Sequence, residues 1–91
     1  MYYLLVYEVV EDFIARRTPF REEHLKLANE ALSRNELVMA GAFSEPADGA
    51  ALLFRAGNRN VATRFAEADP YVRAGLVKSW RVRGWNVVVG G

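Results

Sequence analysis

Two residues offer most of the chemistry in this chain: an imidazole and a carboxylate joined to a proline. His24 is the single histidine among 91 residues, and it falls on the apolar side of a helical pattern. Asp69 precedes Pro70 within Glu67-Ala68-Asp69-Pro70-Tyr71-Val72-Arg73-Ala74-Gly75-Leu76-Val77, where a helical pattern gives way to a tight return. Imidazole titrates near neutral pH and passes protons in both directions. A carboxylate held against it would fix one tautomer, so the two together are a candidate acid–base pair. Each also has a plainer reading. His24 could be a half-buried helix residue whose nitrogens are satisfied by backbone or water. Asp69 is a good N-cap for a short helix that starts at Pro70. The capping and catalytic readings of Asp69 are compatible, because one oxygen can cap while the other orients the ring.

Other side chains could complete a ligand site. Arg17 and Arg21, with Arg16 nearby, could hold an anionic or phenolate ligand; the competing reading is solvated charge paired with Glu22 and Glu23. Tyr7 could donate a hydrogen bond from the first strand into a cleft, although packing in the sheet is the commoner fate. Ser44, just after the second strand, could face a ligand. Pro70 and Tyr71 in the return could line a pocket. Trp80 and Trp85 read as core or interface rather than as ligand stackers. One histidine and no cysteine do not make a zinc site within one chain, so no metal is expected. No Gly-X-Gly-X-X-Gly fingerprint and no Gly-X-Ser-X-Gly elbow occurs. No cofactor is expected either.

The elements that must position these residues follow from hydrophobic period and breakers. Tyr2 to Val10 is short, aromatic and β-branched, with Leu4 and Val6 on one face and Tyr3, Leu5 and Tyr7 on the other. It predicts a strand buried on both sides. Glu11 to Arg17 breaks the pattern. Thr18-Pro19 predicts a helix start, and Phe20, His24, Leu27, Ala28, Ala31 and Leu32 mark one helical face, with Asn35 as the stop. Leu37 to Phe43 and Ala50 to Ala56 predict a hairpin around the Asp48-Gly49 turn. A second helix, capped by Asn58 or Asn60, carries Val61, Ala62, Phe65 and Ala66 and ends at Asp69-Pro70. The last strand is expected from about Val77 to Val89, with a bulge near Arg83-Gly84 where the apolar phase flips. The order is β-α-β-β-α-β, the ferredoxin-like α+β arrangement of four antiparallel strands with two helices on one face.

Composition bounds the remaining possibilities. A chain of this length is one domain, residues 1–91, with a thin core of its own. Yet 52% of its residues are hydrophobic, slightly above the usual share. Two helices cover only one sheet face, so the sequence predicts that a second copy covers the other, as a homodimer. Twelve basic and eleven acidic residues give a net charge of +1, which is no footprint for a nucleic-acid partner. No apolar run has the length of a membrane span, and no signal-peptide pattern is visible. A cytoplasmic location is expected.

At this point the motifs resemble those of the YciI-like (YCII-related) family of small proteins. The resemblance rests on Arg16-Arg17-Thr18-Pro19-Phe20-Arg21-Glu22-Glu23-His24-Leu25, Glu36-Leu37-Val38-Met39-Ala40-Gly41-Ala42-Phe43, Pro46-Ala47-Asp48-Gly49-Ala50, Ala68 to Val77, and Trp80-Arg81-Val82-Arg83-Gly84-Trp85. These segments lie in the expected order across nearly the whole chain. The resemblance implies a dimeric α+β barrel with an active site built on a histidine and an aspartate, which correspond to His24 and Asp69. Two departures stand out. Many relatives have an aspartate near the end of strand one, where this chain has Tyr7-Glu8-Val9-Val10. Relatives often have Arg-Pro-Trp where Arg83-Gly84-Trp85 stands here. One relative removes chloride from a chlorinated hydroxyquinol, and the fold resembles that of muconolactone isomerase.

The expectation is a small enzyme that uses His24 as general acid and base, oriented by Asp69. Its reaction would be elimination, isomerisation or hydrolysis of a small cyclic or aromatic molecule. The alternative is a non-catalytic small-ligand-binding or interaction module.

Overall fold

Strand β1 (Tyr2–Val9) occupies an inner position of a four-stranded antiparallel sheet, as its two apolar faces demand. The computed structural model describes residues 1–91. The other strands are β2 (Leu37–Ala42), β3 (Gly49–Arg55) and β4 (Val77–Trp85), in the spatial order β2-β3-β1-β4. This is the ferredoxin-like α+β fold predicted from the element order. β1 pairs with both neighbours from Tyr2 to Glu8: Leu5 lies opposite Leu52 on β3 and opposite Val82 on β4. Residues of matching parity therefore share a face. Leu5, Tyr7, Leu52 and Phe54 point to the helices and are buried. Tyr2, Leu4, Ala51, Leu53 and Trp85 point away from them.

The helical layer has four pieces rather than two. A single turn, α1 (Phe13–Arg16), lies in the segment that its polar sequence assigned to a break. Its one apolar anchor, Phe13, is buried and supplies the reason for the turn. The long helix α2 (Thr18–Ser33) carries Pro19 in its first turn as expected, but Thr18 makes no side-chain cap bond. It ends where Asn35 turns left-handed, with φ of 61°, a conformation asparagine tolerates better than most residues. Helix α3 (Asn60–Ala68) buries Ala62, Phe65 and Ala66, and the Asn58 side chain accepts from the Asn60 N–H. Asp69 then breaks direction, and α4 (Pro70–Arg73) returns the chain to β4 through Gly75, whose φ is +78°.

Two strand expectations need correction. β4 ends at Trp85, so Val87 and Val89 lie beyond the sheet. The irregular register falls near Val9 and Val77, not at Arg83-Gly84, which pairs regularly with β1. The apolar phase flips because Trp80 and Val82 serve the helix-side core, whereas Trp85 serves the open face. No helix is long and apolar enough to cross a membrane.

Candidate active site

Asp69 sits in the bend between α3 and α4 with an extended backbone (φ −67°, ψ 123°), forced by the proline that follows. Its side chain is fully buried. Burying an ionised carboxylate is costly unless its lone pairs are filled. Here three donors converge on it. Oδ1 accepts the backbone N–H of Tyr71 at 3.0 Å and meets His24 Nδ1 at 2.9 Å. Oδ2 accepts the Tyr7 hydroxyl proton at 2.7 Å. No buried side-chain polar atom in the chain lacks a partner. The capping role and the imidazole contact coexist, but both fall on Oδ1 rather than on separate oxygens as expected, because the Tyr7 hydroxyl takes Oδ2.

His24 approaches from the second turn of α2. Its side chain keeps 15% of its surface exposed, against none for Asp69. A carboxylate only accepts hydrogen bonds, so the contact is an Nδ1–H donation, which in the neutral ring leaves the lone pair on Nε2. The imidazole lies flat on the Tyr71 ring, with centroids 4.0 Å apart and planes 13° apart. The edge of Phe65 meets it at 6.4 Å, and Phe13 braces Tyr71 edge-on at 5.2 Å. Four elements thus hold one small ring in place.

A cavity of about 350 Å³ opens against this ring. His24, Tyr71, Phe13, Arg17 and Arg21 line one side. Tyr7 and the short side chains Ala40, Ala42 and Ala50 line the sheet side. Arg17 stacks over Phe13, its guanidinium carbon 5.6 Å from the ring centroid. Neither Arg17 nor Arg21 forms an ion pair; the pairs on this chain are Arg16–Asp12, Arg34–Glu36, Lys78–Glu8 and His24–Asp69. The expected pairing of these arginines with Glu22 and Glu23 does not form, so two unpaired cations face the cavity. Burial pushes the Tyr7 phenol far above its usual range, and the Asp69 charge and hydrogen bond add to the effect. Tyr71 is also raised, first by burial and then by Asp69, while Arg17 and Arg21 pull it back.

Of the residues singled out from sequence, His24, Tyr7, Arg17, Arg21 and Tyr71 line the cavity, and Asp69 lies directly behind the imidazole. Three expectations need correction. Ser44 is exposed in the loop after β2, and Pro70 is buried at the start of α4; neither lines the cavity. Tyr7 spends its hydroxyl proton on Asp69, so it lines the cavity without donating that proton to a ligand. Phe13 went unnoticed because a short Phe13-Ile14-Ala15 run between charged residues carries no periodic signal. The small wall of Ala40 and Ala42 gave no chemical signal at all.

A four-stranded antiparallel sheet with helices on one face, and an imidazole–carboxylate pair opening on a cavity between them, defines a ferredoxin-like α+β protein with a candidate acid–base site. The family model of the YCII-related domain matches residues 1–86, and the chain belongs to that family. Similar solved structures include 5-chloro-2-hydroxyhydroquinone dehydrochlorinase from Burkholderia phenoliruptrix AC1100, in complex with 2,5-dihydroxybenzoquinone. It is 19% identical, with a TM-score of 0.78 over 94% of each chain. An antibiotic biosynthesis monooxygenase is 12% identical, with a TM-score of 0.57 over 98% of this chain and 100% of its own. A NIPSNAP family protein from Agrobacterium tumefaciens is 12% identical, with a TM-score of 0.55 over 90% of this chain and 87% of its own. At these identities the likeness is one of fold. No curated protein matches the chain.

Proposed function

We propose that the protein is a small acid–base enzyme in which His24 Nε2 takes and returns a proton on a small cyclic or aromatic molecule, with Asp69 as orienting partner. The observation that carries this reading is the 2.9 Å contact between His24 Nδ1 and a fully buried Asp69 that also accepts from the Tyr71 N–H and the Tyr7 hydroxyl. A carboxylate so anchored holds the ring in one tautomer and stabilises the imidazolium formed when Nε2 accepts a proton. Arg17 and Arg21, unpaired at the cavity, suit the negative charge left on a substrate oxygen after proton removal. The reaction class is elimination, isomerisation or hydrolysis. The dehydrochlorinase of the same fold, with its bound cyclic dione, supports a small ring as substrate.

The same reading includes a homodimer. Met39, Phe43 and Trp85 are 64%, 45% and 48% exposed. A groove of about 770 Å³, with Tyr2, Leu4, Leu53 and Trp85 among its lining, runs along the sheet face that no helix covers. Ala40, Gly41 and Ala42 border both this groove and the His24 cavity. A second copy on the open face would therefore stand beside the entrance to the site.

The test is turnover across a panel of halogenated and hydroxylated rings and small lactones. His24→Ala should lose activity by about 100-fold or more, the lower range of a general acid–base contribution, while keeping its circular dichroism. Full activity in that variant overturns the proposal. Ligands that bind but are recovered unchanged, with no turnover from the wild type, would make the protein a binding module.

A further inference from the structure

Residue 71 touches the acid–base pair twice. Its backbone N–H donates to Asp69 Oδ1 at 3.0 Å, the same oxygen that meets His24 Nδ1. Its ring lies parallel to the imidazole, at a 4.0 Å centroid separation and a 13° interplanar angle. Tyr71 is 4% exposed, and its ring is braced by Phe13 at 87°. A hydrogen bond at Nδ1 fixes the position of one ring atom but leaves the imidazole free to swing about that contact. A flat partner on the ring face removes this freedom, so the bond and the stack together determine where Nε2 points.

We propose that Tyr71 is the positioning residue of the site, clamping His24 against Asp69 so that the Nε2 lone pair is directed into the cavity. The catalytic part of this inference rests on the acid–base reading of His24; the clamp itself does not. The ring face carries the effect, and the backbone contact ties it to the carboxylate, because the turn that Asp69 caps also places the Tyr71 ring. The three-residue signature Asp69-Pro70-Tyr71 thereby supplies the orienting carboxylate, the bend and the stacking surface in consecutive positions. Loss of the stack would leave the Nδ1 contact possible but the ring loosely aimed. Misplacement on the order of 1 Å costs about 100-fold in rate.

The single histidine makes this directly measurable, since one set of imidazole signals belongs to His24. In the wild type, the His24 ring carbon-bound protons should be shifted upfield by the Tyr71 ring current, and the ¹⁵N signals should report a protonated Nδ1 in the neutral ring. Tyr71→Phe should keep both signatures. Tyr71→Leu should lose the upfield shift and broaden or mix the tautomer signals. For any substrate found in the panel above, it should lower kcat about 100-fold with little change in KM. Wild-type ring protons at unshifted positions would overturn the clamp without needing any variant to fold. So would a folded Tyr71→Leu with unchanged ring and ¹⁵N signals. Failure of the acid–base reading appears separately, as an active His24→Ala beside an intact ring-current shift.

Discussion

At the scale of single residues, the most consequential atom is Asp69 Oδ2, because its hydrogen bond comes from the Tyr7 phenol, for which the sequence offered only a cleft or sheet packing. Tyr7→Phe removes that donor from a buried carboxylate. The cost should be about 1–3 kcal/mol, read as a lower melting temperature without loss of secondary structure. The pH dependence of stability carries a second signature. The Tyr7 phenol is raised above the usual tyrosine value of 10.0 in the folded state. Below pH 10 the group is protonated in both states and contributes no slope. Above pH 10 the unfolded chain releases the proton while the folded chain keeps it, so stability falls as pH rises. Tyr7→Phe should flatten this alkaline loss relative to wild type; an unchanged profile would mean that the phenol is not held as described. His24 and Asp69 were legible as individuals, from a lone imidazole on an apolar helix face and an acid before proline. Their contact was not, because 45 residues separate them in sequence. The expectation for Ser44 failed because loop position says nothing about direction.

At the scale of elements, the β2–β3 hairpin holds the sheet wall of the cavity. Gly49 begins β3 opposite Glu8, and a Cβ there would collide with the Tyr7 carbonyl oxygen and press on the Phe43 ring. Asp-Gly was read as a turn signal; the tighter demand is close approach between two backbones next to the residue that holds Asp69. Gly49→Ala should destabilise the protein by about 1–3 kcal/mol, as overpacking does, measurable by chemical unfolding. A neutral effect would mean that the hairpin shifts freely. The long helix, both hairpin strands and the order β-α-β-β-α-β were legible because period and breakers agree along each segment. α1 was not, since a four-residue turn depends on one buried side chain, Phe13, whose partner Tyr71 lies far along the chain. The displaced irregularity in β4 has a related origin: Trp80 and Val82 face the helices while Trp85 shares the open face with Arg81 and Arg83, and alternation alone does not say which side Trp85 serves.

For the whole molecule, the unbalanced sheet is the governing fact. Every helix lies on one side, and the other side presents Leu4, Leu53, Met39 and Trp85 around a broad groove. A homodimer formed through this face should sediment as a dimer at micromolar concentration. Leu53→Glu, placing a charge amid the groove, should give a monomer that keeps its secondary structure. A wild-type chain that sediments as a monomer would remove the dimer and its proposed place beside the cavity, leaving the imidazole–carboxylate geometry untouched.

The amino-acid sequence by itself determined the four strands, the two main helices and their order, because local period, proline and asparagine act over neighbouring residues. It also determined which residue types could transfer a proton. Only the tertiary structure decided that Asp69 takes three hydrogen bonds, that Tyr71 lies flat on His24, and that two arginines face the cavity unpaired. Those facts depend on the packing of α2 against the sheet and the α3–α4 bend. Contacts over 45 and 62 residues of chain are set by the shape of the whole core, and no local pattern encodes them.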